Sequence, residues 1–203
     1  MAKLQPGDPA PDVVLPDQDG NTRKLSELRG KWVLVYFYPR DDTPGCTIEA
    51  CGLRDAAGEY SRAGITVLGI SADSAKSHRK FADKFQLPFT LLADEEKSVI
   101  RAFGAWGKKQ FMGREFDGIL RQSFLVDPKG KIAKVYPKVK PEEHAGEVLA
   151  DLAALQGGKP AARPAAKTAP KTPASPKKSP TQSSTKARGG PSPASARKSK
   201  PKG

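Results

Sequence analysis

The chain has 203 residues, with 35 Lys and Arg against 22 Asp and Glu and a formal charge of +13. The excess is local: residues 157–203 hold 12 Lys and Arg and no acid, whereas residues 1–156 hold 23 against 22. No apolar run approaches the ~18 residues of a membrane span, and MAKLQPGDPAPD at the start lacks the ~7–15 apolar residues of a signal peptide.

Two objects are therefore expected. Residues 1–156 form a nearly neutral domain, long enough to bury a sizeable core. Residues 157–203 form a basic tail with nine Pro, seven Ser and no Val, Ile, Leu, Met or aromatic residue. Nothing in that composition offsets the entropy of ordering it, so a disordered tail is expected. The protein reads as soluble, intracellular and cytoplasmic. In a reducing compartment its two cysteines are reactive or simply buried rather than a structural staple.

In chain order, Val13 to Leu15 is a short apolar run leading into the turn Asp17-Gln18-Asp19-Gly20-Asn21. WVLVYFY, residues 32–38, has the continuous aromatic and β-branched pattern of a central strand buried on both faces. Pro39 ends it, and Pro44, suited to a first turn, opens a helix expected to run to about Arg62. ITVLGIS (65–71) is a second buried strand. Ser74 caps a helix whose apolar face is Ala75, His78, Phe81, Ala82 and Phe85. Phe89 to Leu92 is a short third strand, and Glu95 to Phe103 a further helix. Ser123 to Val126 and Ile132 to Tyr136 form a hairpin through Asp127-Pro128-Lys129-Gly130. Pro141 opens a last helix with Ala145, Val148, Leu149, Leu152 and Leu155 at helical spacing. Strands alternating with helices, then a hairpin and a helix, argue an α/β sandwich with a mixed central sheet.

The chemistry concentrates in Pro39-Arg40-Asp41-Asp42-Thr43-Pro44-Gly45-Cys46-Thr47-Ile48-Glu49-Ala50-Cys51. Cys46 falls where the loop after a central strand enters a helix, the end of the sheet where sites gather. A thiol in a first turn faces free backbone N–H groups and the positive end of the helix dipole, which favour thiolate over thiol. Cys46 is a candidate nucleophile; the alternative is a small buried core cysteine.

Cys51 lies five residues on. On one regular helix the two Cα atoms stand roughly 8.6 Å apart and the side chains point about 140° apart, beyond the ~7 Å that a disulfide tolerates. Either the pair never bonds, or the helix opens its first turns during a catalytic cycle. His78 and His144 are the only histidines, and neither lies near a cysteine in sequence, so no metal site is expected. His78 reads as a packed or half-exposed residue. Without a Gly-x-Gly-x-x-Gly or a P-loop, nucleotide cofactors have no support.

YFYPRDDTPGCTIEAC resembles the peroxiredoxins, and most closely their peroxiredoxin Q or bacterioferritin comigratory protein subfamily. Pro39, Thr43 and Cys46 carry the Pro-x-x-x-Thr-x-x-Cys motif, and Cys51 stands at the spacing this subfamily uses for a resolving thiol. The resemblance continues through LPDQDG (15–20), LSELRGK (25–31), GISADS (69–74) and WGKKQFMGREFDGILRQSFLVD (106–127). It implies a thioredoxin-like fold and a thiol peroxidase that uses no metal or haem. Cys46 is then the peroxidatic cysteine, leaving as sulfenic acid, and Cys51 resolves it as an intramolecular disulfide that thioredoxin or a similar dithiol reductant reduces. Thr43 and the Cys46 backbone N–H hold the peroxide, Arg121 stabilises thiolate and developing oxyanion, and Pro39 shields the sulfur. Glu49 either orients an arginine or is simply a favourable first-turn acid.

The expected enzyme is a monomeric thioredoxin-dependent peroxidase acting on hydrogen peroxide and organic hydroperoxides. The competing readings are a one-cysteine peroxidase resolved by an external thiol and a nucleic-acid-associated peroxide sensor. The tail, spaced by Pro, Ala and Ser, is suited to weak nonspecific association with DNA, RNA or a membrane surface. The bland alternative, a solubilising disordered appendage, is the default for such a composition.

Overall fold

The computed structural model describes residues 3–111 and 113–157. These residues fall within one of the two units into which the chain divides, Met1–Lys167. The expected tail, apart from Gly157, lies outside the described residues.

The frame is a five-stranded mixed sheet of β3 (Trp32–Phe37), β4 (Ile65–Ser71), β5 (Thr90–Ala93), β8 (Gln122–Val126) and β9 (Ile132–Tyr136), in the order β5-β4-β3-β8-β9. β3, β4 and β5 run parallel, while β8 is antiparallel to both β3 and β9. The apolar run of β3 is central because both faces are covered. Val33, Val35 and Phe37 enter one core cluster, and Leu34, Tyr36 and Tyr38 enter the other.

One face packs against α1 (Pro44–Asp55), α2 (Ala57–Arg62), α3 (Ala75–Phe85) and α5 (His144–Leu155) through Cys46, Ala50, Leu53, Tyr60, Phe81, Ala82, Val148 and Leu152. The other is closed by the small hairpin β1 (Val14–Pro16) and β2 (Thr22–Lys24), a 3-10 turn at Leu25–Leu28, and α4 (Ser98–Ala102), through Leu15, Leu25, Val99, Ile100 and Phe103. Among the described residues no helix is long and apolar enough to cross a membrane.

Three expectations change in detail. The helix expected from Pro44 to Arg62 is two helices, broken at Ala56, whose N–H bonds back to Arg54 and Gly52. Here Ala56, Ala57 and Gly58 offer no side chain to hold a continuous helix in place, and Gly58 raises the backbone entropy cost. The helix expected over Glu95–Phe103 shrinks to Ser98–Ala102, because the Asp94 carboxylate takes the Ser98 and Ile100 N–H groups (3.0 and 2.8 Å) and fixes the helix start there. Residues 106–119, for which the sequence pattern gives no strands, form a hairpin of β6 (Trp106–Phe111) and β7 (Arg114–Ile119). WGKKQF and REFDGI show too little apolar alternation for a sequence to announce strands.

Gly69 on β4 is where the sheet meets the site. A Cβ there would stand 2.7 Å from the Leu91 side chain and from the Tyr36 ring. Glycine lets the Tyr36 ring lie flat across the strand and stack on Tyr38 at 5.3 Å between centroids.

Candidate active site

The site lies beyond the carboxyl end of β3, where the chain turns through residues 39–43 into α1. Thr43 has extended backbone at the N-cap and Pro44 stands at the first helical position. The first intrahelical bond runs from Thr47 N–H to Thr43 O at 2.8 Å, which leaves the Gly45 and Cys46 amides outside the ladder. Cys46 therefore sits in the first turn, as its sequence position predicts. It is 1% exposed.

Register explains what comes to meet it. Gln122 on β8 pairs with Phe37 on β3, so Arg121, one residue earlier, stands beside the strand end from which the loop departs. Arg121 Nη2 donates to Cys46 Sγ at 3.2 Å, and Nη1 donates to Glu49 Oε2 in an ion pair. Glu49 is three residues along α1 from Cys46, hence on the same side of the helix. A Cβ on Gly45 would meet Arg121 Nη2 at 3.2 Å, so this glycine leaves the guanidinium its room. The three side chains form a closed set: thiol, cation and carboxylate.

Electrostatics follow burial. Desolvation pushes the fully buried Glu49 carboxyl up to about 7, with Arg121 pulling the other way. Glu49 Oε1 and the Tyr36 hydroxyl, both buried, have no hydrogen-bond partner among the described residues. Lys109 of β6 donates to the Ile119 carbonyl at 2.8 Å; burial and Arg121 push its ammonium down, and the Cys46 sulfur pulls it back up. It is a second cation within electrostatic reach of the thiol.

A profile of the AhpC/TSA family matches residues 6–135. Peroxiredoxin Bcp of Escherichia coli K12 is 51% identical over 149 residues, 73% of this chain and 96% of that protein. Peroxiredoxin Bcp of Bacillus subtilis is 42% identical over 149 residues, 73% of this chain and 95% of that protein. The chain belongs to the AhpC/TSA family. Within it, a solved structure of Xanthomonas campestris peroxiredoxin Q covers 70% of this chain and 90% of its own, at 38% identity and a TM-score of 0.67. The fold is the thioredoxin-like α/β fold of these peroxiredoxins, and the activity is that of a thiol-dependent peroxidase.

In this peroxiredoxin the residues singled out from sequence do not all converge. Cys46, Glu49 and Arg121 are in contact. Thr43 is half-buried at the helix start, where its hydroxyl donates to the Arg40 carbonyl at 3.0 Å instead of capping the helix. Pro39 is half-buried at the bend beyond β3. Cys51 lies on the same unbroken helix as Cys46 and is free and partly buried. Burial pushes its thiol up. Among the described residues no group of three His, Cys, Asp or Glu side chains is arranged to hold a metal ion.

Sequence reasoning passed over Gly45, Lys109 and Asp41. Asp41, in the motif loop, bonds His78 of α3, and a histidine alone on an apolar helix face was the only signal of that contact.

Two buried groups give the domain a testable pH signature. Glu49 moves from its ordinary 4.5 to about 7, so between these values the folded state holds the extra proton and stability falls as pH rises. His144, fully buried with Nε2 2.9 Å from Ser123 Oγ, is pushed by desolvation from 6.5 to about 4. Between those values the unfolded state holds the extra proton, and stability rises with pH. The two slopes oppose each other from pH 4.5 to 6.5. Urea unfolding across this range is expected to be nearly flat for the wild type. Glu49→Gln should leave a rise, and His144→Asn a fall, of up to about 1.4 kcal/mol per pH unit. Flat profiles in both variants would refute the assignment.

Proposed function

We propose that Cys46 is the peroxidatic nucleophile, Cys51 the resolving thiol, and thioredoxin or a similar dithiol the reductant. The observation that carries the reading is the Arg121 N–H held 3.2 Å from Cys46 Sγ at the first turn of a helix. The substrates are hydrogen peroxide and organic hydroperoxides. A Xanthomonas campestris bacterioferritin comigratory protein, 37% identical over 70% of this chain with a TM-score of 0.67, has alkyl peroxide reduction activity.

In the first step the Cys46 thiolate attacks one peroxide oxygen and the O–O bond breaks. Sulfur is oxidised by two electrons to sulfenic acid, and the other oxygen departs as hydroxide or alkoxide and takes up a proton. The departing oxygen is a poor leaving group, so the reaction needs fixed donors where its charge develops. Arg121 and the free Cys46 amide supply them. The Thr43 hydroxyl spends its proton on the Arg40 carbonyl, which leaves its oxygen able to accept the peroxide O–H. Glu49 holds Arg121 in position from the far side, and Pro39 covers the sulfur.

In the second step the Cys51 thiol condenses with the sulfenic acid, forming the S–S bond and releasing water. The five-residue separation on α1 forbids this while the helix stands, so α1 unwinds over its first turns. Unwinding also removes Cys51 from the burial that suppresses its thiolate. Thiol exchange with the reductant restores both thiols.

The domain acts as a monomer in the cytoplasm. Residues 157–203, by their 12 cations and lack of acid, associate weakly and without sequence preference with nucleic acid.

Replacing Cys46 with Ser should abolish peroxidase activity, and activity near wild type would reject the site. Cys51→Ser should keep the first oxidation while thioredoxin-coupled turnover falls sharply; unchanged turnover points to the one-cysteine reading. Multiple turnovers with thioredoxin separate an enzyme from a sensor. For the tail, a gel shift across a salt series should show the full chain retarding DNA at low salt and residues 1–156 not doing so. Equal binding by both removes the tail's role.

A further inference from the structure

A second cluster of buried charge grips the loop that leads into α1. His78 on α3 is fully buried and Asp41 in the loop is 8% exposed. The Asp41 carboxylate accepts from the Tyr38 hydroxyl at 2.7 Å, the Ser77 hydroxyl at 2.7 Å and His78 Nδ1 at 2.9 Å. His78 Nε2 faces the Leu92 carbonyl at 3.1 Å. The ring is thus held at both nitrogens, Nδ1 against the Asp41 carboxylate and Nε2 against a backbone carbonyl. The Asp41 N–H in turn donates to Asp73 Oδ2 at 2.9 Å, an oxygen that also accepts from Ser71 at 2.7 Å. Residues at the ends of β3 and β4 and on α3 therefore converge on one loop residue, and β5 joins them only through His78. Burial alone would raise the Asp41 carboxyl; His78, Ser77 and Tyr38 bring it below its ordinary value.

The chain is much more weakly held just after this point. Asp42 has a left-handed backbone (φ 54) and pairs with Lys84 at the surface. Pro44 has no N–H to donate, and Gly45 restricts its backbone least of any residue type.

We propose that Asp41 and His78 are positioning residues: a post that holds the Cys46 turn in its folded form. The post ties the start of the loop to the scaffold in the folded form, and its bonds loosen as the residues after Asp42 unwind, so it biases one form over the other. It thereby sets how the chain is shared between the folded form that reduces peroxide and the unwound form that joins Cys46 to Cys51. This inference rests on Cys51 being the resolving thiol.

Ser77→Ala removes one of the three donors to Asp41 from a half-buried position on α3, and His78→Gln removes the imidazole. Quenched-flow thiol alkylation with mass spectrometry on the full chain separates three quantities after a peroxide pulse: Cys46 oxidation, disulfide formation and sulfinic acid. Losing one hydrogen bond to a charged group should favour the unwound form by about tenfold or more. While the folded form still predominates, disulfide formation then speeds up by that factor and Cys46 oxidation changes less than about twofold. Sulfinic acid falls accordingly. His78→Gln goes further in the same direction, and Ser77→Thr, which keeps the hydroxyl, restores wild-type rates. Ser77→Ala that resolves no faster, or that slows both steps by one common factor, overturns the post. A wild type that forms no Cys46–Cys51 disulfide overturns the resolving assignment together with it; a wild type that forms it beside an unresponsive Ser77→Ala overturns the post alone.

Discussion

Arg121 reaches two groups at once, and the site depends on that fork. One guanidinium nitrogen contacts the sulfur of Cys46 and another the carboxylate of Glu49, a geometry that a planar, permanently charged group provides and an ammonium does not. Both partners lie on one side of α1, so the helix presents them together, and the antiparallel pairing of β8 with β3 delivers the arginine to the same point. The arrangement is expensive in isolation. A carboxylate without solvent exposure and a thiol at 1% exposure are tolerated because the cation between them is also partly withdrawn from water, at 19% side-chain exposure.

The same fold that builds this set keeps the second thiol away from it. Cys51 shares α1 with Cys46, and a helix is rigid enough that five residues of separation turn the side chains apart. Under the proposed mechanism, reduction of peroxide and formation of the disulfide therefore require different conformations of one short segment. Everything around that segment is anchored: Tyr36 is stacked on Tyr38, Asp41 is held to α3 and to the end of β4, and Arg54 donates to the Phe85 carbonyl at 2.9 Å. A rigid scaffold around a short convertible stretch confines the motion to the residues whose chemistry needs it.

Much of this was legible in the sequence, for reasons that differ between elements. β3 and β4 announce themselves because a strand buried on both faces must be apolar throughout, and the setting of Cys46 follows from a strand, a proline and a helix start. The break at Ala56 was missed because two alanines, good helix formers, mark it and a single glycine inside a helical pattern is a weak stop signal. The β6–β7 hairpin was missed because it has no apolar face to alternate. Arg121 was reached only through the resemblance of its surrounding motif; pairing between β3 and β8 spans more than eighty residues of sequence, and no local pattern shows it. Asp41 and His78 were invisible as a pair for the same reason. The basic tail supplies +12 of the +13 net charge and, apart from Gly157, lies outside the described residues.

The most direct measurement is the second-order rate constant of Cys46 oxidation by hydrogen peroxide in a single turnover, compared between the wild type and Arg121→Lys. Lysine keeps the charge but cannot reach thiol and carboxylate together. If the fork activates Cys46, the rate constant falls at least about tenfold while the far-ultraviolet circular dichroism and the unfolding midpoint stay close to wild type. An unchanged rate constant would contradict the account, because the bridging guanidinium would then have no part in the chemistry.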